Sequence, residues 1–142
     1  MLLIASDHAG FELKTNIVKF LTKNNIEFQD LGPTIYEKSD SYVDYAKKVC
    51  NAFNGNNDKI ILVCGSGVGM SIVANRHKGI RAVLGYSNEI VEKSVNHNNA
   101  NCLCLGQNFT TTRKACSMVK TFLNAKFEGG RHIKRVEDID KD

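Results

Sequence analysis

The sequence lacks the features of several large protein classes. Its five cysteines are an odd number without a C-x-x-C pair, which fits neither a disulfide framework nor a zinc ribbon. We therefore expect reduced thiols in a cytoplasmic protein. No apolar run approaches the roughly 20 residues of a membrane span. The N-terminal Met1-Leu2-Leu3-Ile4 has no basic segment before it, so no signal peptide is expected.

The charge and length set further limits. A net charge of +4 is too small and too scattered to indicate a nucleic acid partner, although it is compatible with a small anionic substrate. With 142 residues, of which 42% are hydrophobic, the chain fits one hydrophobic core. We predict a single domain over residues 1–142, in which residues 129–142 form a polar tail that follows the Gly129-Gly130 break.

Short apolar runs alternate along the chain with segments of helical periodicity. The apolar runs predict strands over residues 2–6, 26–31, 60–64, 80–84 and 102–105. The periodic segments predict helices over residues 11–23, 42–53, 70–75, 89–95 and 114–122. This alternation predicts a three-layer α/β/α Rossmann-like fold with a five-stranded parallel sheet. In such folds ligands bind beyond the carboxyl ends of the strands, where we expect His97-Asn98, in the turn before the fifth strand, to join Asp7-His8 and Cys64.

A glycine-rich loop, Gly65-Ser66-Gly67-Val68-Gly69, follows the clearest of these strands. Its backbone N–H groups and the helix N-terminus behind it favour negative charge. The loop lacks the third glycine of a dinucleotide fingerprint, the lysine of a Walker loop and the arginine of a cysteine phosphatase loop. What remains is a thiol, Cys64, at a position that favours the thiolate. The alternative is that Cys64 is simply a buried small apolar residue without a chemical role, which is what we expect of Cys50, Cys102, Cys104 and Cys116.

The chain resembles the family of type B ribose-5-phosphate isomerases and galactose-6-phosphate isomerases over almost its whole length. The matching blocks are residues 4–11, 64–71, 74–75, 79–82, 97–98, 101, 105–106, 128–132 and 135–136. The resemblance implies an enzyme of the pentose phosphate pathway that interconverts ribose 5-phosphate and ribulose 5-phosphate. The reaction moves a proton between two carbons through a cis-enediolate, so it needs a base and donors for an oxyanion. The family needs neither a metal nor a cofactor.

The resemblance also assigns the catalytic roles. Cys64 matches the base, Ser66 could move a proton between the two oxygens, and His97 would act on the ring oxygen or anomeric hydroxyl of the closed sugar. The enediolate would be stabilised by the Asn98 amide and by the loop backbone, which the family carries at Gly65, Gly67, Val68 and Gly69. Relatives with a glutamate base have it where this chain has Met70, so this chain is of the cysteine type.

The remaining family residues bind the substrate. His8, Arg131 and Arg135 would bind the phosphate, with Asp7 and Tyr42 near the sugar. Arg131 and Arg135 are four residues apart, so on a helix they share one face and can converge on a dianion. The alternative is an ordinary solvated basic tail. In the family this tail reaches across a homodimer, so we expect a homodimer or dimer of dimers with shared sites.

Two positions depart from the family pattern. Relatives often read aspartate-tyrosine-proline where this chain reads Asp40-Ser41-Tyr42-Val43, with one residue inserted before Tyr42. Asn108 stands where relatives often carry an arginine that contacts phosphate, and Arg113 is the nearby cation that could replace it.

Three functions are compatible with these residues. The first is the ribose 5-phosphate isomerase described above. The second is an isomerase of a six-carbon sugar phosphate, galactose 6-phosphate or allose 6-phosphate. Galactose-6-phosphate isomerases divide the catalytic residues between two different subunits, whereas this chain has both Cys64 and His97. The third is a sugar-phosphate sensor without activity, which would need neither a thiol nor an imidazole.

Overall fold

Five short parallel strands form one sheet in the computed structural model, which describes residues 1–142. The strands are β1 (Leu2–Ser6), β2 (Phe28–Asp30), β3 (Lys59–Cys64), β4 (Ala82–Leu84) and β5 (Cys102–Gly106). Their order in the sheet is β2-β1-β3-β5-β4, and every neighbouring pair is parallel. The predicted five-stranded parallel sheet is therefore confirmed.

Helices cover both faces of the sheet. They are α1 (Phe11–Lys23), α2 (Tyr42–Ala52), α3 (Val68–Ala74), α4 (Asn88–Asn98), α5 (Thr112–Asn124) and α6 (His132–Asp138). Helices α1, α4 and α5 contribute to one hydrophobic core, while α2 and α3 contribute to the other. Successive strand residues alternate between the two cores because side chains point to opposite faces of a strand. This arrangement confirms the three layers. No helix combines the length and the hydropathy that a bilayer crossing requires.

Two strands are shorter than the sequence predicts. β2 begins at Phe28 rather than at residue 26, because the amide of Ile26 donates to the carbonyl of Leu21 and closes the end of α1. β4 begins at Ala82 rather than at residue 80, because the amide of Ile80 donates to the carbonyl of His77 in a turn. Both strands are at the edges of the sheet, where pairing exists on only one side.

Helix α4 is longer than predicted, and this changes the position of two candidate site residues. His97 and Asn98 were expected in the turn before β5, but they form the last turn of α4. The helix continues to Asn98 because Asn99 adopts the left-handed conformation (φ 51°) and its amide donates to carbonyls of the last turn. An asparagine-rich stretch has low helix propensity, so the sequence pattern alone favoured an earlier end.

The topology creates two opposite ends of the sheet. We call the end where the strands finish the carboxyl edge, and the end where they begin the amino edge. From β1 the chain proceeds to one side of the sheet and from β3 to the other, so the strand order reverses at the carboxyl ends of β1 and β3. Ligand sites of open α/β sheets lie at such a reversal.

Candidate active site

Cys64 is the last residue of β3 and lies at the reversal point of the carboxyl edge. Its side chain is almost fully buried, with 5% of the residue exposed. The amide of Gly67 donates a hydrogen bond to Sγ at 3.1 Å. A backbone donor aimed at the sulfur favours negative charge there, and the thiolate is the basic form of cysteine. The structure thus places a thiol at the position where the sequence predicted a thiol, and a backbone amide donates to its sulfur.

The backbone conformation of the loop after Cys64, and its close packing against neighbouring residues, require glycine. Gly67 has a positive φ of 81° and is the residue before α3, so a side chain there would strain the backbone. A Cβ at Gly67 would also lie 2.7 Å from Leu84 Cδ1. Across the sheet, a Cβ at Gly106 would lie 2.4 Å from the carbonyl oxygen of Ser66. Close backbone packing therefore fixes the position of the loop relative to Cys64.

Tyr42 and Asn108 both border this loop. A Cβ at Gly69 would lie 2.7 Å from the ring of Tyr42, so the glycine allows the phenol to pack directly on the loop. The amide of Asn108 donates to the carbonyl of Gly65 at 3.0 Å, and its side-chain amide lies over the same glycine. Both residues are therefore at the carboxyl edge beside Cys64, despite the insertion before Tyr42.

Ser66 and Val68 complete the loop. The Ser66 hydroxyl accepts a hydrogen bond from the amide of Val68 at 3.1 Å, which leaves its own proton available for a second partner. The Val68 side chain is exposed, so the candidate contribution of this residue is its backbone. The first amides of α3, at Gly69 and Met70, have no partner inside the helix because of helix geometry.

His8 and Asp7 approach the same edge from the end of β1. The Nδ1 atom of His8 lies 2.7 Å from Oδ1 of Asp40, and the His8 amide donates to the same oxygen at 2.9 Å. Because a carboxylate only accepts, Nδ1 carries the proton and Nε2 is left to face a ligand. Asp7 accepts from the amide of Gly10, and burial raises the pKa of its carboxyl above the usual value.

His97 and Asn98 are at the other end of the molecule. Helix α4 connects the parallel neighbours β4 and β5, so it starts at the carboxyl edge and returns to the amino edge. The four-residue register from Ile60 to Cys64 corresponds to about 13 Å along β3. One chain therefore does not bring His97 and Asn98 together with Cys64. The expectation that they join Cys64 at the carboxyl edge is wrong within a single chain.

The C-terminal tail lies at the amino edge as well. The amide of Glu128 donates to the carbonyl of Asn96, and the amide of Gly79, shortly before β4, donates to Asp140 at 2.7 Å. Within α6 only His132 is buried, and its ring packs against α4.

The outward face of α6 carries the two candidate phosphate ligands. Arg131 and Arg135 are exposed, and neither forms an ion pair within the chain. Two apolar residues of the same helical region, Ile133 and Ile139, are also about half exposed. The two unpaired arginines are therefore available to bind an anion. Together with the exposed isoleucines they could also contact a second protein surface.

His97 belongs to a compact group of three side chains. Its ring stacks on the ring of His132, with centroids 4.6 Å apart and planes 13° from parallel. Glu128 Oε1 lies 3.7 Å from His97 Nε2. Burial, and secondarily the charge of Arg131, lowers the pKa of His132 below the usual value. His132 and Glu128 belong to the blocks that resemble the family, but the sequence alone did not single them out.

Asp40 was also missed as a site residue. It appeared in the sequence analysis only as the neighbour of an insertion, because an aspartate in a polar loop carries no distinctive signal. The structure brings it to His8 across 32 positions of sequence and buries its second oxygen, Oδ2, without a partner. The hydrogen bond between this carboxylate and the ring of His8 is therefore apparent only from the tertiary structure.

Two groups in the molecule have the composition of metal ligands. Asp7, His8 and Asp40 form one, and His97, Glu128 and His132 form the other. In the first, oxygen atoms of both aspartates already accept hydrogen bonds from the chain. In the second, the two rings lie in nearly parallel planes, and a metal ion cannot lie in both planes. The stacked rings of the second group therefore do not fit a shared tetrahedral zinc site.

The other four cysteines differ from Cys64 in their surroundings. Cys50, Cys102 and Cys104 are buried in the core between the sheet and α2–α3, as predicted, whereas Cys116 on α5 is partly exposed. Burial raises the pKa of Cys50 to about 11. Cys102 and Cys104 have sulfur atoms 3.9 Å apart, and burial raises the pKa of Cys102 as well. None of the four lies next to the glycine loop.

Arg113, the proposed substitute for a family arginine, lines a separate cavity of about 560 Å³. This cavity lies between the first turns of α4 and α5, and its lining includes Lys114 but neither Cys64 nor Asn108. Asn108 lies against the glycine loop instead. Replacement of the missing arginine by Arg113 remains a prediction.

Comparison with known proteins gives consistent matches over the whole chain. The model of the ribose/galactose isomerase family matches residues 2–139. A probable ribose-5-phosphate isomerase B from Mycoplasma pneumoniae is 42% identical over 137 residues, which cover 96% of this chain and 90% of the relative.

Solved structures agree with this chain in fold as well as in sequence. A ribose 5-phosphate isomerase from Thermotoga maritima superposes with a TM-score of 0.94 at 44% identity, covering 99% of this chain and 97% of that one. A ribose-5-phosphate isomerase B from Mycoplasma genitalium, solved with bound ribulose-5-phosphate, gives 0.93 at 40% identity, covering 97% and 92% of the two chains.

Proposed function

The chain belongs to the ribose/galactose isomerase family, and from this premise we propose that it interconverts ribose 5-phosphate and ribulose 5-phosphate in the pentose phosphate pathway. The enzyme is an aldose–ketose isomerase. The observation that carries the mechanism is the 3.1 Å hydrogen bond from the Gly67 amide to the sulfur of Cys64 at the reversal point of the sheet. The Mycoplasma genitalium relative was solved with the ketose of this reaction bound.

Cys64 is the base in the proposed reaction. The thiolate takes the proton from C2 of the aldose and returns it to C1, which yields the ketose. The developing oxyanion is stabilised by the backbone of the glycine loop, where donors are fixed before the substrate arrives. Ser66 lies in this loop with a hydroxyl proton to donate, so it can move the second proton between the two oxygens.

His8 binds the phosphate from the carboxyl edge. Asp40 holds Nδ1, so the Nε2–H side of a protonated imidazole can face the dianion. Asp7 and Tyr42 border the sugar beside Cys64, and Asn108 takes the place of a family arginine. This half of the site therefore provides one strong phosphate contact, and further positive charge must come from elsewhere.

The missing charges, and the histidine that opens the sugar ring, come in our proposal from a second copy of the chain. His97, Asn98, Arg131 and Arg135 all lie at the amino edge, so a site that combines them with Cys64 needs two subunits. A two-fold dimer would join each carboxyl edge to the partner's amino edge and form two such sites. Exposed apolar side chains occur beside both halves: Val68 and Ile72 on α3, Ile133 and Ile139 on and after α6.

Turnover measured on a panel of sugar phosphates tests the function. We expect the highest kcat/KM with ribose 5-phosphate, and lower values with allose 6-phosphate and galactose 6-phosphate. Preference for a six-carbon sugar would assign the second function considered above. Binding without turnover of any of them would indicate a sensor. The five free cysteines fit a reducing compartment, and we place the enzyme in the cytoplasm.

Subunit mixing tests the shared site. Cys64→Ala subunits and Arg131→Ala/Arg135→Ala subunits are each expected to be nearly inactive alone. After random exchange about a quarter of wild-type activity should return, because half of the dimers are mixed and each has one intact site. If exchange is demonstrated by native mass spectrometry and activity does not return, the tail acts on its own chain. Mixing Cys64→Ala with Cys64→Ala/Arg131→Ala/Arg135→Ala is the control that must stay inactive.

A further inference from the structure

His97 is a partly exposed histidine near the end of α4. An imidazole in such a position normally samples several rotamers. One-third of its side chain is exposed (33%), and α4 ends one residue later. A ring-opening acid must direct one nitrogen at one oxygen, and a misplacement of about 1 Å can reduce a rate by about 100-fold. Something must therefore hold this ring.

The ring of His132 holds the ring of His97 in this way. It is stacked on the ring of His97, with centroids 4.6 Å apart and planes 13° from parallel. His132 is 7% exposed, and it is the first residue of α6. Stacking on a buried ring prevents rotation of His97 toward that side, and it covers a face of the ring rather than the edge that carries the nitrogens.

The surroundings of His132 favour the neutral form of its ring. Its Nε2 atom is buried without a hydrogen-bond partner, and a charged imidazole could not be accommodated there without an acceptor. Burial lowers the pKa of His132, and the nearby charges of Arg131 and Arg135 act in the same direction, opposed by Glu128. A neutral ring can stack on a protonated His97, whereas two charged rings would repel each other.

Glu128 restricts the other side. Its backbone amide is bonded to the carbonyl of Asn96 at 3.0 Å, which attaches the residue to the same helical turn as His97. Its carboxylate lies 3.7 Å from His97 Nε2, so a protonated ring finds a counter-charge there. The ring face and the Nε2 edge of His97 are thus both contacted by residues from outside α4.

We propose that His132 is a positioning residue for ring opening, which acts by stacking on His97 and fixing the plane of its imidazole. The proposal rests on the proposed function and concerns only the step that precedes proton abstraction. Arg131, beside His132 in sequence, would bind phosphate, so α6 connects phosphate binding with the orientation of the acid. His132 does not touch the substrate in this proposal.

The experiment separates ring opening from enolisation in the intact dimer. Turnover of ribose 5-phosphate requires both steps, whereas exchange of the C1 proton of ribulose 5-phosphate with deuterium from solvent requires enolisation alone. His132→Ala should lower aldose turnover about 10-fold or more while the deuterium exchange stays near the wild-type rate. His132→Phe keeps an aromatic ring without nitrogens, so it should restore aldose turnover to within about 3-fold of wild type.

Three results would overturn the proposal. His132→Ala could leave aldose turnover unchanged, it could lower turnover and exchange equally, or His132→Phe could be as impaired as His132→Ala. Circular dichroism and thermal unfolding verify the fold, and His132→Gln replaces the alanine variant if the latter does not fold. A wild-type enzyme without aldose turnover would instead refute the proposed function, so the two failures are distinguishable.

Discussion

The two edges of the sheet differ in how completely one chain builds them. At the carboxyl edge, Cys64 and its loop are fixed by backbone hydrogen bonds and by glycines at which an added Cβ would lie less than 3 Å from a neighbour. At the amino edge, the last turn of α4 and the outer face of α6 leave Arg131 and Arg135 exposed without partners.

This difference indicates which half of the proposed site performs which task. Proton abstraction needs preorganised donors, and these are found where the backbone is rigid. The residues proposed to bind the phosphate and to open the sugar ring lie at the end of α4 and in and next to α6, with Arg131 and Arg135 exposed.

Cys64→Ala should reduce turnover by roughly 10²–10⁴-fold, because the proposed mechanism has no second base for proton abstraction. Sugar-phosphate binding should persist, as measured by calorimetry, since the loop backbone stays in place. Cys50→Ala is the matched control, a buried cysteine whose removal should leave kcat unchanged. Wild-type kcat in Cys64→Ala would reassign the thiol to the core.

His97→Asn should lower aldose turnover by about 10²-fold, the contribution of one general acid–base group. Ribulose 5-phosphate cannot close to a furanose, so single turnover from the ketose side should be less affected. Lys93→Ala, on the exposed face of the same helix, controls for damage to α4. Equal losses in both directions would assign His97 to enolisation or to architecture rather than to ring opening.

Asp40→Asn should raise KM about 10-fold with a smaller effect on kcat, because His8 loses the charge-assisted hydrogen bond that fixes its ring. Asp44→Asn removes the same charge from the exposed first turn of α2 and should leave KM near wild type. If both variants shift KM equally, general charge near the site explains the effect and the Asp40–His8 pair does not.

Gly69→Ala should have the smallest effect. The new Cβ would lie 2.7 Å from the Tyr42 ring, which is 40% exposed and can move outward. We expect a loss of about 1 kcal/mol in the free energy of unfolding and a KM increase of about 3-fold, measured by denaturant titration and steady-state kinetics. Because Gly69 lies within α3 and has no positive φ, a Gly69→Ala variant with wild-type stability and KM would show that Tyr42 moves aside at no cost.

The carboxyl edge could be predicted almost completely from the sequence. An apolar β-branched run that ends in Cys64 and continues into closely spaced glycines predicts strand, turn and anion-stabilising loop from local rules alone. His8 and Asp7 follow another buried strand, so their proximity follows from the parallel sheet. Asp40 could not be predicted, because its contact with His8 depends on the path of a polar loop.

The amino edge could not be predicted in the same way. The sequence indicated His97, Asn98 and the arginines of the tail as functional through resemblance, but not where they lie. The expected turn at residues 97–98 was wrong because a left-handed Asn99 lets α4 extend through an asparagine-rich stretch. The stacking of His132 on His97 joins residues 35 positions apart, which no local pattern records.

The sequence by itself determined the layers, the parallel sheet and the glycine loop after Cys64, because periodicity and glycine sterics act over a few neighbouring residues. Only the tertiary structure decided that the candidate catalytic groups lie at opposite edges. A helix between two parallel strands must return to the edge where the next strand begins, and this places His97 away from Cys64. The division of the site between two chains, as we propose it, is a consequence of that connection.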